Sequence, residues 1–208
     1  SARLRLYAGP ENGLNGDLSV GALRNGNLLL DTIGVFLSQD STGFRLHGDI
    51  HNYTKRNPHK FRVNLDGFVQ KDGVGAQLQF IDAQGRRGID IGTRAALTDE
   101  EIRLSIYPQH PVIAYRNFTV NEDNFISLDK NKMLKANIDL LADDGTGLRV
   151  FSQPADSVND ITASISNLNL GELSDVLPYL PQLEGMLNGD FHLVDDHTNL
   201  STSALFEA

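Results

Sequence analysis

The sequence predicts an all-β fold, a long and mostly antiparallel sheet with one short helix. Three observations predict it: apolar and polar residues alternate over many short runs, Gly- and Asp-rich turns punctuate those runs, and one strand signature recurs. The alternation is clearest in four segments. In 60–70, Phe61, Val63, Leu65 and Val69 oppose Arg62, Asn64, Asp66 and Gln70. In 101–107, Ile102, Leu104 and Ile106 oppose Glu101, Arg103 and Ser105. In 133–141, Leu134, Ala136, Ile138 and Leu140 oppose Lys135, Asn137 and Asp139. In 160–166, Ile161, Ala163 and Ile165 oppose Thr162, Ser164 and Ser166. Successive strand side chains point to opposite faces, so each segment has one apolar and one wet side, the mark of an antiparallel sheet.

Further strands are expected at 3–7, 14–20, 28–37, 44–52, 74–82, 88–96, 113–121, 125–128, 148–152, 186–194 and 200–206. Lys71-Asp72-Gly73, Ala83-Gln84-Gly85 and Asp143-Asp144-Gly145 read as hairpin turns. The signature is apolar–x–Gly–Asp–apolar. It stands at Leu14-Asn15-Gly16-Asp17-Leu18, Leu46-His47-Gly48-Asp49-Ile50 and Leu187-Asn188-Gly189-Asp190-Phe191, and in degenerate form at Leu65-Asp66-Gly67-Phe68. A glycine on the apolar face lets a sheet bend or another backbone approach. Over 172–180, Leu173, Val176, Leu177 and Leu180 share one helical face, and Pro178 and Pro181 end the run. One amphipathic helix among many strands reads as a lid or plug. The 208 residues make one elongated domain, with 107–111, Tyr-Pro-Gln-His-Pro, as the candidate internal break or equally a loop inside one sheet.

About fifteen strands at about 4.8 Å each make an open sheet about 70 Å long, which must curl or fold over. A sandwich or a barrel hides the apolar face. A trough leaves it as a binding surface.

The formal charge of −9 and the lack of any Lys/Arg run argue against nucleic acid and against anionic lipid headgroups as partners. Without cysteine there is no disulfide and no thiol chemistry. No stretch approaches the ~20 apolar residues of a membrane span, and no signal peptide pattern is visible. The chain begins Ser1-Ala2 rather than with methionine. It reads as a piece or processed form of something longer, so neither observation bears on localisation.

His47, Asp49 and His51 alternate on one polar face, and Asp190 and His192 repeat part of that pattern. Two histidines and a carboxylate can ligate a metal only with a completed shell, so these read as a solvated outer face. Asp99, Glu100 and Glu101 fall at a turn. Asp139 with Asp143 and Asp144 lacks the twelve-residue calcium loop. No G-x-S-x-G, P-loop or H-E-x-x-H occurs. The expectation is a non-enzyme with no cofactor and no metal.

Pro178-Tyr179-Leu180-Pro181, Leu183-Glu184-Gly185 and Leu187-Asn188-Gly189-Asp190 resemble the TamB family of translocation-and-assembly-module proteins, in the AsmA-like superfamily, most closely its Bacteroides-type versions. So do Tyr115-Arg116-Asn117-Phe118-Thr119-Val120-Asn121 with Asn124-Phe125-Ile126, and Ala136-Asn137-Ile138-Asp139-Leu140 with 143–148. The resemblance covers most of the chain. It implies a curved sheet with an apolar concave interior (a "taco"), a periplasmic location within an inner-membrane-anchored protein, and a part in moving phospholipid to the outer membrane. It also implies a role in assembling outer-membrane proteins with a barrel partner. This chain lacks the anchor and most of the expected length, and would be an internal or C-terminal-region segment.

The expected lining of that groove is Phe61, Val63, Leu65, Leu78, Phe80, Ile102, Leu104, Ile106, Leu134, Ile138, Leu140, Leu148, Val150, Phe191 and Leu193. These would hold acyl chains or nascent outer-membrane strands out of water. The rival expectation is a surface-exposed β-sandwich that binds carbohydrate or protein through loops such as 107–111.

Overall fold

The structure, a computed structural model, describes residues 2–9, 13–25, 28–54, 60–153, 157–176, 183–196 and 198–207. Sixteen strands and one helix follow in chain order: β1 (Ala2–Gly9), β2 (Gly13–Asn25), β3 (Leu28–Asp40), β4 (Gly43–Asn52), β5 (Phe61–Gln70), β6 (Gly73–Asp82), β7 (Arg87–Leu97), β8 (Glu101–Ile113), β9 (Arg116–Asn117), β10 (Thr119–Val120), β11 (Phe125–Asp129), β12 (Leu134–Leu141), β13 (Gly147–Ser152), β14 (Asn159–Asn169), α1 (Leu170–Val176), β15 (Met186–Asp195) and β16 (Leu200–Glu207). All the strands belong to one sheet. Its order follows the chain from β1 to β8, then β11 to β16, with β9 on β8 and β10 on β12. Among the described residues it is open and antiparallel at every junction, with β1 and β16 as its outermost strands. Among the described residues there is neither a second sheet, as a sandwich needs, nor the edge-to-edge pairing of a barrel.

Register carries the apolar alternation from strand to strand, because directly opposed residues share a face. One line runs Val35, Gly48, Leu65, Leu78, Ile91. Another runs Phe44, Val69, Val74, Ala95, Leu104, Ile126, Ala136. A third continues Ile138, Val150, Ala163, Phe191, Ala204 to the far edge.

The sheet curls toward this face. Helix α1 leaves β14, six strands from β6, about 29 Å away if the sheet were flat. Seven helical residues span only about 10 Å. Yet Val176, 1% exposed, shares a buried cluster with Leu30 of β3, Phe61 of β5 and Phe80 of β6. The apolar face is therefore the concave one, and α1 stops one end of the trough. The helix starts two residues earlier than its periodicity predicts because Asn169 caps it. The Asn169 carboxamide oxygen accepts the Gly171 N–H at 2.9 Å, and Glu172 sits three residues after the cap. The expected extension over 177–180, with Leu177, Pro178 and Leu180, lies outside the described residues, as does Pro181.

One expectation is corrected in the middle of the chain. Residues 113–121 do not form one strand. The backbone turns at Ala114 and Tyr115, both at positive φ, and only the two-residue strands β9 and β10 follow. Phe118 and Val120 of this segment instead pack against Ile138 and Leu140 in a second buried cluster. Where the ladder beside β8 breaks, the side chain of Asn124 completes it. Its Oδ1 accepts the Ile106 N–H at 2.6 Å and its Nδ2 donates to the Ile106 carbonyl at 3.2 Å. Residues 107–111 lie inside β8. Pairing with β7 jumps from Gly92↔Tyr107 to Asp90↔Val112, so 108–111 face a single residue, Ile91. Pro108 and Pro111, which have no N–H, fit such a bulge without costing a ladder bond.

The signature glycines divide in two. At Gly16 and Gly189 the space of a Cβ is filled by a side chain from the neighbouring edge strand, Leu6 and Phe206. At Gly48 the nearest atom stands at ordinary contact distance. No helix among the described residues is long and apolar enough to cross a membrane.

Candidate binding groove

Between the stopper helix and the opposite rim, none of the described residues covers the concave face. A groove of about 510 Å³ crosses β3 to β8, lined by Leu37, Phe44, Leu46, Leu65, Val69, Val74, Ala76, Ala95 and Leu104, with Thr93 its one hydroxyl. Leu65 and Leu78 are 37% exposed and Ile102 is 50% exposed. Such a run of half-wet aliphatic side chains is uncommon on a protein with nothing to bind there.

Register places all fifteen sequence-predicted lining residues on this face, but they differ in what covers them. Leu65 and Leu104 line the groove. Leu78, Ile102 and Phe191 are open to solvent, and Val63, Ile106, Leu134, Leu148, Val150 and Leu193 are half-buried. Four are buried by their own chain: Phe61 and Phe80 in the cluster with Val176, Ile138 and Leu140 beneath Phe118 and Val120. Sequence reasoning passed over Leu37, Phe44, Leu46, Val69, Val74, Ala76 and Ala95, although the same alternation marks them.

The closed end is charged. Arg116, the first residue of β9, donates to both carboxylate oxygens of Glu172 on α1, at 2.7 and 2.8 Å, and also meets Asp144 and the Thr146 hydroxyl. Arg86 lies over the Tyr115 ring, 4.8 Å from its centroid, and donates from Nε to Asp82 at 2.8 Å. A second space of about 610 Å³ lies among Arg86, Tyr115, Arg116 and Glu172. Both guanidiniums already carry carboxylate partners, so the space is not poised for an anion. Burial alone would push Asp82 up. The Arg86 and Gln84 N–H groups and the Arg86 guanidinium outweigh it, and the carboxyl titrates below its ordinary value. Asp144 is likewise lowered by hydrogen bonds from Thr146 and by Arg116.

The outer face carries His47, His51 and His192. His47 Nδ1 stands 2.6 Å from Asp66, His51 Nε2 3.5 Å from Asp49, and His192 Nε2 2.8 Å from Asp160, while Asp190 accepts from Ser164. These pairs are dispersed along the sheet, and no cluster of three or more His, Asp or Glu at metal-holding spacing occurs among the described residues. Asp99 and Glu100 form the turn before β8, where Glu100 pairs with Lys130. Asp139 pairs with Arg149. No buried side-chain nitrogen or oxygen among the described residues lacks a hydrogen-bond partner. What the arrangement offers is a polar, satisfied exterior and an unsatisfied apolar interior. Compared with protein-family models, with curated proteins and with solved structures, the chain matches none.

Proposed function

We propose that this chain is a non-enzymatic segment of a TamB-like cell-envelope translocation protein in the periplasm, and that its concave face carries phospholipid acyl chains toward the outer membrane. Nascent outer-membrane protein strands are the second cargo the resemblance implies, beside a barrel partner. One observation carries the reading: apolar side chains of successive strands, Leu46, Leu65, Leu78 and Val74 among them, stand more than a third exposed on the inside of a curled sheet. Water against that surface is unfavourable by about 25 cal/mol per Å², and an acyl chain removes it without any directional bond. The uniform apolar lining suits a cargo that slides.

The test is mass spectrometry of lipid extracted from natively purified protein, alongside Leu65→Asp with Leu78→Asp. Both leucines are already partly in water, so the double variant keeps its β circular dichroism and loses the bound lipid. Wild-type protein carrying no lipid above an unrelated control, or the folded double variant carrying as much, refutes the proposal.

A further inference from the structure

One stretch of the outer face departs from its polar surroundings. Two adjacent register lines cross it, one through Phe36, His47, Asp66, Gln77, Gly92 and Tyr107, the other through Arg45, Phe68, Gly75 and Arg94. Alternation keeps this side of the sheet for polar side chains, so the rings of Phe36, His47, Phe68 and Tyr107 stand where no core needs filling. Phe36 is 48% exposed, and its ring stacks on that of His47 with centroids 6.2 Å apart. The other two rings lie down across the sheet, because each has a glycine opposite. The space of a Cβ at Gly75 is filled by Phe68, and at Gly92 by Tyr107. Gly75 and Gly92 are diagonal neighbours on β6 and β7, about 7–8 Å apart.

These rings border a space of about 380 Å³. Phe68 also borders a further space of about 550 Å³ among Arg94, Arg103, Ser105 and Glu122. Both volumes fall within the ~300–1,000 Å³ of small-ligand sites. The polar groups around the rings come in both signs and pair off. Arg45 stands 3.5 Å from Asp40, and His47 Nδ1 2.6 Å from Asp66. Burial pushes the Tyr107 hydroxyl above its ordinary value, so it stays a donor, while Arg94 and Asp66 act on it in opposite senses. A polyanion or polycation finds no surplus of opposite charge here. An uncharged ring with an apolar face and a rim of hydroxyls finds both things it needs. Aromatic rings receive its C–H face, and donors stand beside acceptors for hydroxyls that do both. That is the chemistry of a pyranose.

We propose that this outer cleft is a carbohydrate site, taking an uncharged pyranose chain with its C–H face on the Phe68 and Tyr107 rings and Phe36 at its flank. It lies on the opposite side of the sheet from the apolar groove and does not depend on what that groove carries.

Cellohexaose, maltohexaose and chitohexaose, uncharged pyranose chains that differ in linkage and substituent, are titrated into the protein by calorimetry. At least one is expected to bind. Phe36→Ala, at a half-exposed ring, keeps the sheet folded and weakens that binding about tenfold. Tyr107→Phe keeps the ring and drops the hydroxyl, for a loss of about fivefold. Leu65→Asp with Leu78→Asp, on the other face, leaves the affinity unchanged. Folded protein that binds none of the sugars overturns the proposal. So does full affinity in the Phe36→Ala protein, or loss of binding by the folded Leu65→Asp and Leu78→Asp protein, which would move the sugar to the groove. Tighter binding of heparin, a sulfated chain, than of any uncharged one overturns it too, by marking an anion site on the arginines.

Discussion

Val176→Asp is expected to release helix α1 from the trough while leaving the sheet folded. Two contacts among the described residues dock the helix side chains. Val176 is 1% exposed within the Leu30, Phe61 and Phe80 cluster, and full burial of a valine is worth about 2 kcal/mol. The Arg116–Glu172 pair is bidentate but partly solvated on both sides, so it adds at most about 1 kcal/mol. Docking worth about 3 kcal/mol slows exchange of the helical amides about a hundredfold, at 1.4 kcal/mol per decade. Val176→Ala removes about 1.5 kcal/mol of this, and protection of 170–176 falls about tenfold. Val176→Asp removes all of it, because a carboxylate among three apolar side chains costs more than docking returns. Hydrogen exchange read by mass spectrometry separates peptides over 170–176 from those over 73–82 and 134–141. The reasoning fails if helix and sheet lose protection together, since α1 would then be part of the cooperative unit. It fails equally if the aspartate variant protects the helix as well as wild type does.

Three other outcomes follow from named contacts. Asp82 has a folded-state pKa below its ordinary value, so its stabilisation is present at neutral pH and is lost as pH falls from about 4 through the folded value; urea midpoints should hold between pH 7 and 5, fall below about 4, and fall less steeply in Asp82→Asn. Asn124→Ala leaves the Ile106 N–H and carbonyl without their partner inside the sheet, at a cost of about 2–4 kcal/mol in equilibrium unfolding; a loss under about 1 kcal/mol would mean that water replaces the side chain. Gly43→Ala places a Cβ 2.1 Å from the Val69 carbonyl oxygen at a φ of +151°, whereas Gly85→Ala at +80° meets nothing within 4 Å; the first should cost about 3 kcal/mol and the second about 1 kcal/mol, and equal losses would assign both to backbone conformation alone.

Strands were legible in this chain because one face of the sheet is wet. Alternation in 60–70 and 133–141 located β5 and β12 to within a residue, and the Asp-Gly turns located the hairpins. It misled at 113–121, where the pattern continues although the backbone does not. The turn there uses Ala114 and Tyr115 at positive φ, which no glycine or asparagine announces. The strand pairing it replaces is supplied by Asn124, a partner found only in three dimensions. Prolines 108 and 111 do not end β8, since a bulge can absorb the donors they lack. The groove was legible as a face but not as a surface. Periodicity assigns Phe61 and Leu65 to the same side of β5, and Ile138 and Leu134 to the same side of β12. Whether a residue is core or lining depends on α1 and on 118–120 folding over one end, contacts that span up to 146 residues from Leu30 to Val176.

That division has an energetic consequence. A single sheet forgoes the stabilisation of burying its central apolar residues, and Leu65, Leu78 and Ile102 stay partly in water. The fold rests instead on its continuous ladder and on the two clusters at the stopped end. Polar substitution at Ile138 therefore strands a charge in a core, while the same substitution at Leu65 exchanges one wet side chain for another. On the proposed function, cargo would act on the second kind of position. A cargo that binds the folded sheet and not the unfolded chain would raise stability by RT ln(1 + [L]/Kd), about 2.7 kcal/mol at a hundredfold excess over Kd. Delipidated protein should then melt lower than protein purified with its lipid, and Leu65→Asp with Leu78→Asp should abolish that difference while leaving the lower melting point nearly in place. A double variant that melts far below delipidated wild type would show that these leucines stabilise the sheet on their own account, and the separation of core from lining along each strand would be wrong.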